Sequence, residues 1–131
     1  MAKYFYPAIF TKEKNGLYSV EFPDIENCYT SGEDLADAYE MAEDVLALTL
    51  YGYEIGEKTI PEARGCMDIQ CKEASFVSLV KCDTMEYRRK HSGKAVKKTL
   101  SIPEWMNEEA NRRGINFSQL LQEALLQELK L

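Results

Sequence analysis

Lys97, Thr99 and Ser101 stand at every second position of a short segment, residues 96–102 (VKKTLSI). In an extended chain that spacing turns all three to one side. Each is a residue type that reads base edges: an ammonium donates to guanine O6 and N7, and a hydroxyl donates to or accepts from any base. Val96, Leu100 and Ile102 take the opposite side, and Lys98 falls on that apolar parity. A second set of reactive types is Glu21, Asp24, Glu26, Asp34 and Asp37, close enough in sequence to raise metal-assisted hydrolysis, which needs converging carboxylates. Against that chemistry, Asp34 and Asp37 suit a helix start and Asp24 a turn after Pro23. Cys66, Cys71 and the single His91 lack the spacing of a usual zinc site. The expectation is no catalytic residue, no metal and no cofactor.

The elements that must hold the base-reading types follow directly. Pro103 ends the strand-like segment and is pre-organised for a first helical turn. A helix is expected over residues 103–113, with Met106 and Ala110 inward and Gly114 as a left-handed stop. Asn116 is the natural N-cap of a second helix, with Gln119 as its capping-box partner. Phe117, Leu120, Leu121, Ala124, Leu125 and Leu129 give that helix a broad apolar face. The free N–H groups after Asn116, at Phe117 and Ser118, joined by the Ser118 hydroxyl, make a phosphate anchor. One strand and two short helices bury too little to stand alone. Paired across a twofold axis, the strand becomes a two-stranded ribbon, a shape that fits the DNA major groove. An amphipathic hairpin with a basic lead-in also describes a dimerisation tail or a partner-docking element without any DNA role.

Charge divides the 131 residues unevenly. Residues 1–86 carry 7 Lys/Arg against 17 Asp/Glu, whereas residues 87–131 carry 9 against 5, within a net charge of −6. The first part suits a basic partner, and the second carries the local positive footprint of a nucleic-acid binder. Six Lys/Arg fall in residues 88–98; phosphate contacts and a solvated linker account for them equally well. Met1, Ala2 and Lys3 lead straight into strand-like residues, with no signal peptide and no apolar run of membrane-spanning length. The four cysteines are expected to be reduced, structural thiols in the cytoplasm.

Within the acidic part, residues 4–11 read as an aromatic-rich strand and residues 12–16 (KEKNG) as a turn with the Asn-Gly signal. Residues 17–22 alternate as a second strand, and a short third strand is expected at residues 28–30. Asp34 caps a helix carrying Leu35, Ala38, Tyr39, Ala42, Leu46 and Thr49, which Gly52 is expected to end. Residues 75–81 (SFVSLVK) supply a fourth strand. The fold class is therefore α+β, with a β-β-β-α-β domain followed by a β-α-α unit.

Two families match these residues. The pattern Lys97-x-Thr99-Leu100-Ser101-Ile102-Pro103, a helix, then Gly114-Ile115-Asn116-Phe117-Ser118 resembles the ribbon-helix-helix superfamily of bacterial repressors. The resemblance implies an intertwined dimer in which Lys97, Thr99 and Ser101 face bases while Asn116, Phe117 and Ser118 hold phosphates; Lys98 stands where that family usually has an apolar residue. The stretch from Phe22-Pro23-Asp24 through Cys28-Tyr29-Thr30-Ser31-Gly32, followed by the Ala38 and Ala42 helix, resembles the HicB family of antitoxins. Here Glu26-Asn27 replaces the Pro-Gly common in that family. This second resemblance implies a partial RNase H-like fold without nuclease activity that blocks a HicA-like mRNA interferase toxin. Together they give three expected segments: residues 1–84 binding toxin, residues 85–94 as a basic linker, and residues 95–131 dimerising and binding double-stranded operator DNA. The assembly expected is a homodimer or a higher homo-oligomer with no membrane partner. The alternative is an orphan ribbon-helix-helix regulator whose first domain binds another protein or a ligand.

Overall fold

The ten-residue strand β1 (Lys3–Lys12) comes first in the computed structural model, which describes residues 2–130. β2 (Tyr18–Glu21), β3 (Tyr29–Gly32) and β4 (Ser75–Asp83) complete an antiparallel sheet of order β3-β2-β1-β4. β1 is thus an inner strand, with Phe10 opposite Val20 on one side and Phe76 on the other. Tyr6, Ala8 and Phe10 share one face of β1 and are buried, as a period of two requires when one face meets a helix. The Phe10 ring stacks on Phe76 at 5.2 Å and on Tyr39 at 6.2 Å.

Helix α1 (Leu35–Ile55) covers that face. Its Ala38, Ala42, Leu46 and Leu50, four residues apart, are all fully buried, and Leu46 and Leu50 each contribute about 1.5–3 kcal/mol by burial. The alanines let the first turns lie close to the sheet, and Gly32 completes the fit: a Cβ there would stand 2.3 Å from the Ala38 nitrogen. Asp34 caps α1, its Oδ1 accepting from the Asp37 N–H at 2.8 Å while Asp37 Oδ2 accepts from the Glu33 N–H at 2.9 Å. α1 runs through Gly52, one turn past its expected end. Gly52 is exposed there, and burial of Leu50 with the half-buried Tyr53 beyond it offsets the roughly 1 kcal/mol that a helical glycine costs. In the turn before β3, Asn27 adopts φ 57°, the left-handed region open to glycine and tolerated by asparagine. The turn therefore keeps a geometry that glycine would supply.

The expected linker is corrected over most of its length. Helix α2 (Thr84–His91) follows β4 without a break. Asp83 caps it, accepting from the Met85 and Glu86 N–H groups at 3.0 and 3.2 Å. Tyr87 packs on Tyr51 of α1 with ring centroids 5.4 Å apart. Thr84 is fully buried; its hydroxyl donates to the Ala2 carbonyl and accepts from the Ala2 N–H, and its own N–H donates to the same carbonyl.

The chain divides into two compact units, residues 1–94 and residues 95–131. The second contains α3 (Glu104–Arg112) and α4 (Phe117–Leu129). Gly114, at φ 68°, links them. The Gly114 N–H reaches the Asn111 carbonyl and the Ile115 N–H reaches the Ala110 carbonyl, the paired closure that satisfies carbonyls at a helix end. Residues 92–103 carry neither helix nor strand. A strand is defined by its ladder, and this single chain offers residues 96–102 no ladder partner. Among the described residues of this unit only Ala110 is buried.

Candidate functional site

Lys97, Thr99 and Ser101 are all exposed in the segment before α3. Asn116 caps α4 as expected, its Oδ1 accepting from the Gln119 N–H at 3.1 Å. The reciprocal arm of the box is not made, because the Gln119 amide turns forward to Glu123 at 3.3 Å. Phe117 and Ser118 therefore begin α4 with N–H groups that bond to no other described residue, which is where a helix attracts anions. Both sets belong to the second compact unit. The apolar side of that unit is open: Leu100 is 56 % exposed, Leu120 54 % and Leu125 49 %. Met106, expected inward, is 42 % exposed. So much uncovered apolar surface on so small a unit marks an association surface.

Three of the five candidate carboxylates, Asp24, Asp34 and Asp37, have structural uses. Asp34 and Asp37 form the α1 cap. Asp24, with its side chain 7 % exposed, accepts from the Arg64 backbone N–H at 3.0 Å and pairs with Arg64 Nε at 2.5 Å. That pair fastens the loop after α1 to the turn after β2, and beside it the Tyr6 hydroxyl donates to the Pro61 carbonyl. Glu21 and Glu26 are exposed. Among the described residues no group of three His, Cys, Asp or Glu is placed to hold a metal ion. Glu40, Glu43 and Asp44 on α1 line one groove with Asp83, Glu86, Lys90 and His91 of the β4–α2 segment.

All four cysteines are free thiols. Burial pushes the Cys28 thiol up, and burial, aided by the neighbouring Asp83 and Glu54 charges, pushes Cys82 up to about 12. Cys71 is exposed and Cys66 half-buried. His91 stacks on Tyr87 at 4.1 Å with Nδ1 3.0 Å from the Tyr87 carbonyl, a contact that closes the end of α2. Sequence reasoning missed α2 and Thr84, although Asp83 with Glu86 three residues later is a capping signature.

An acidic α+β domain followed by a helix pair with an open apolar side defines a protein built for association. A family model described as the HicB_like antitoxin of bacterial toxin-antitoxin system matches residues 6–124. The chain belongs to this family of antitoxins. A comparison with curated proteins gives no match. Among solved structures, a chain of a toxin-antitoxin complex from Streptococcus pneumoniae is 28% identical with a TM-score of 0.62, the alignment covering 96% of this chain and 99% of that one. The Burkholderia pseudomallei antitoxin HicB is 19% identical with a TM-score of 0.55 over 96% of this chain and 98% of that one, a likeness of fold. A chain of the HicA3 and HicB3 toxin-antitoxin complex is 22% identical with a TM-score of 0.51, covering 61% of this chain and 99% of that one.

Proposed function

We propose that this antitoxin neutralises a HicA-like mRNA interferase through residues 1–84 and represses its own operon through residues 95–131, paired with a second copy as a ribbon-helix-helix dimer. The observation that carries the reading is the second unit, which leaves its leucines uncovered while presenting Lys97, Thr99 and Ser101 to solvent. Twofold pairing supplies residues 96–102 with a ladder partner and covers the apolar side in one step. The paired segments then enter the major groove with the three polar side chains against base edges, while Asn116, Phe117 and Ser118 hold the backbone. The acidic first unit faces a toxin that must itself be basic to bind RNA, and opposite charge speeds and orients such an encounter.

Binding of the purified protein to its own upstream DNA, titrated with salt, tests this reading. Sequence-specific affinity that weakens steeply with salt is the expected result. Lys97→Ala and Thr99→Ala should each cost about 1–3 kcal/mol of operator affinity while co-expressed toxin stays neutralised. Operator affinity that survives both changes overturns the assignment of the reading face.

A further inference from the structure

We propose that the last turn of α2 and the residues just after it form a second grip on DNA, in which Arg89 and Lys94 hold backbone phosphates beside the site faced by residues 97–101. This rests on the DNA reading above and extends it to residues of the first unit. Three observations carry it. First, α2 is a docked helix with Arg89 turned away from its docking side: Thr84 is fully buried and Tyr87 lies on Tyr51. At 100° per residue Arg89 stands about 140° round the helix from Thr84. Arg89 and Lys94 are exposed and form no ion pair among the described residues, whereas Lys90 is engaged with Glu86 at 3.4 Å.

Second, residues 87–103 hold six Lys/Arg and no Asp or Glu, directly after 86 residues that carry 7 Lys/Arg against 17 Asp/Glu. A single cation would satisfy the negative end of a helix this short; the surplus fits a polyanion. Third, the chain itself limits the separation. Six peptide steps join His91 to Lys97, so the end of α2 can lie no more than about 20 Å from the first base-facing lysine. Double-stranded DNA presents a charge every 1.7 Å or so along its axis, so phosphates lie within that reach. An arginine fork suits a phosphate oxygen pair, and a lysine adds a point charge.

The test uses the full chain and its charge-neutral double variant Arg89→Gln/Lys94→Gln. Affinity is measured by fluorescence anisotropy against salt, on the operator duplex and on a random duplex of equal length. Two lost phosphate contacts per protomer, four per bound dimer, should lower the slope of log affinity against log salt by about 3.6 on both duplexes. Toxin neutralisation should be unchanged, and the charge-retaining variant Arg89→Lys/Lys94→Arg should restore the slope. An unchanged slope overturns the grip and leaves a solvated helix face. A loss confined to the operator duplex overturns it in favour of base contacts, and failure of the charge-retaining variant to restore the slope overturns it as a fold defect. If the unaltered chain binds no DNA, the grip falls together with the DNA reading; if the unaltered chain binds and only the slope test fails, that reading stands.

Discussion

At Gly32 the sheet and the first turn of α1 meet with no room for a methyl group, since an added Cβ would stand 2.3 Å from the Ala38 nitrogen and 2.5 Å from its Cα. Both neighbours are backbone and cannot turn aside. Gly32→Ala should therefore cost about 2–3 kcal/mol, read as a lower urea midpoint with an unchanged denaturant slope. The thiols give a second residue-scale expectation. Cys82 is held up to about 12, and Cys28, Tyr4, Tyr6 and Tyr39 are raised as well, burial being the first cause in each. The unfolded chain then releases these protons first as pH rises. Their contribution to stability is whole below about pH 9 and declines toward pH 12, so the urea midpoint should fall between pH 7 and pH 10.5. In the native protein a thiol reagent should modify Cys71 first and reach Cys28 and Cys82 only after denaturation. At this scale local chemistry was legible from sequence: the Asp34 and Asn116 caps and the Gly114 stop are set by residues within three positions of one another.

Elements were legible where one side of them meets a core within the same chain. β1, β2, β4 and α1 announce themselves through apolar periods that the sheet and helix then bury. α2 did not, because the sequence YRRKH has no apolar period and reads as a charge run. What holds it is a buried threonine bonded to a residue 82 positions away, beyond any sequence window. Leu35, placed on the inner stripe of α1 by spacing, is 45 % exposed, because it opens the helix at the rim of the sheet. Residues 96–102 are the reverse case: their pattern is strand-like, yet among the described residues they carry no strand. A test belongs to α2 itself. Asp83→Ala removes the acceptor for two N–H groups and should cost about 1 kcal/mol, seen as faster hydrogen exchange at residues 85–88 with the amides of β1 unaffected.

For the whole molecule, the division of charge falls inside the first unit: residues 95–131 carry 5 Lys/Arg against 5 Asp/Glu, and four further cations lie in residues 88–94. An acidic body with its own core and a basic-led helix pair without one place different demands on association. The first should unfold with a midpoint independent of protein concentration. The second should melt separately, at a temperature that rises with concentration, because its folded form is stabilised by mass action with a second copy. Calorimetry of the full chain across a hundredfold concentration range distinguishes them, and a single concentration-independent transition would contradict pairing through residues 95–131. The proposed twofold pairing rests on what residues 96–130 leave exposed.

The bonds between Ala2 and Thr84 join the beginning of β1 to the start of α2 across 82 residues, and β1 is also the inner strand that β4 must pair with. On a ribosome adding 5–20 residues each second, roughly 4–16 s separate the synthesis of these two ends. Through that interval the nascent chain holds an inner strand with one edge unpaired, exposed to chaperones and proteases. The supply of working antitoxin is thus delayed by translation itself, and a chain cut short before residue 75 lacks β4, the strand that closes the sheet.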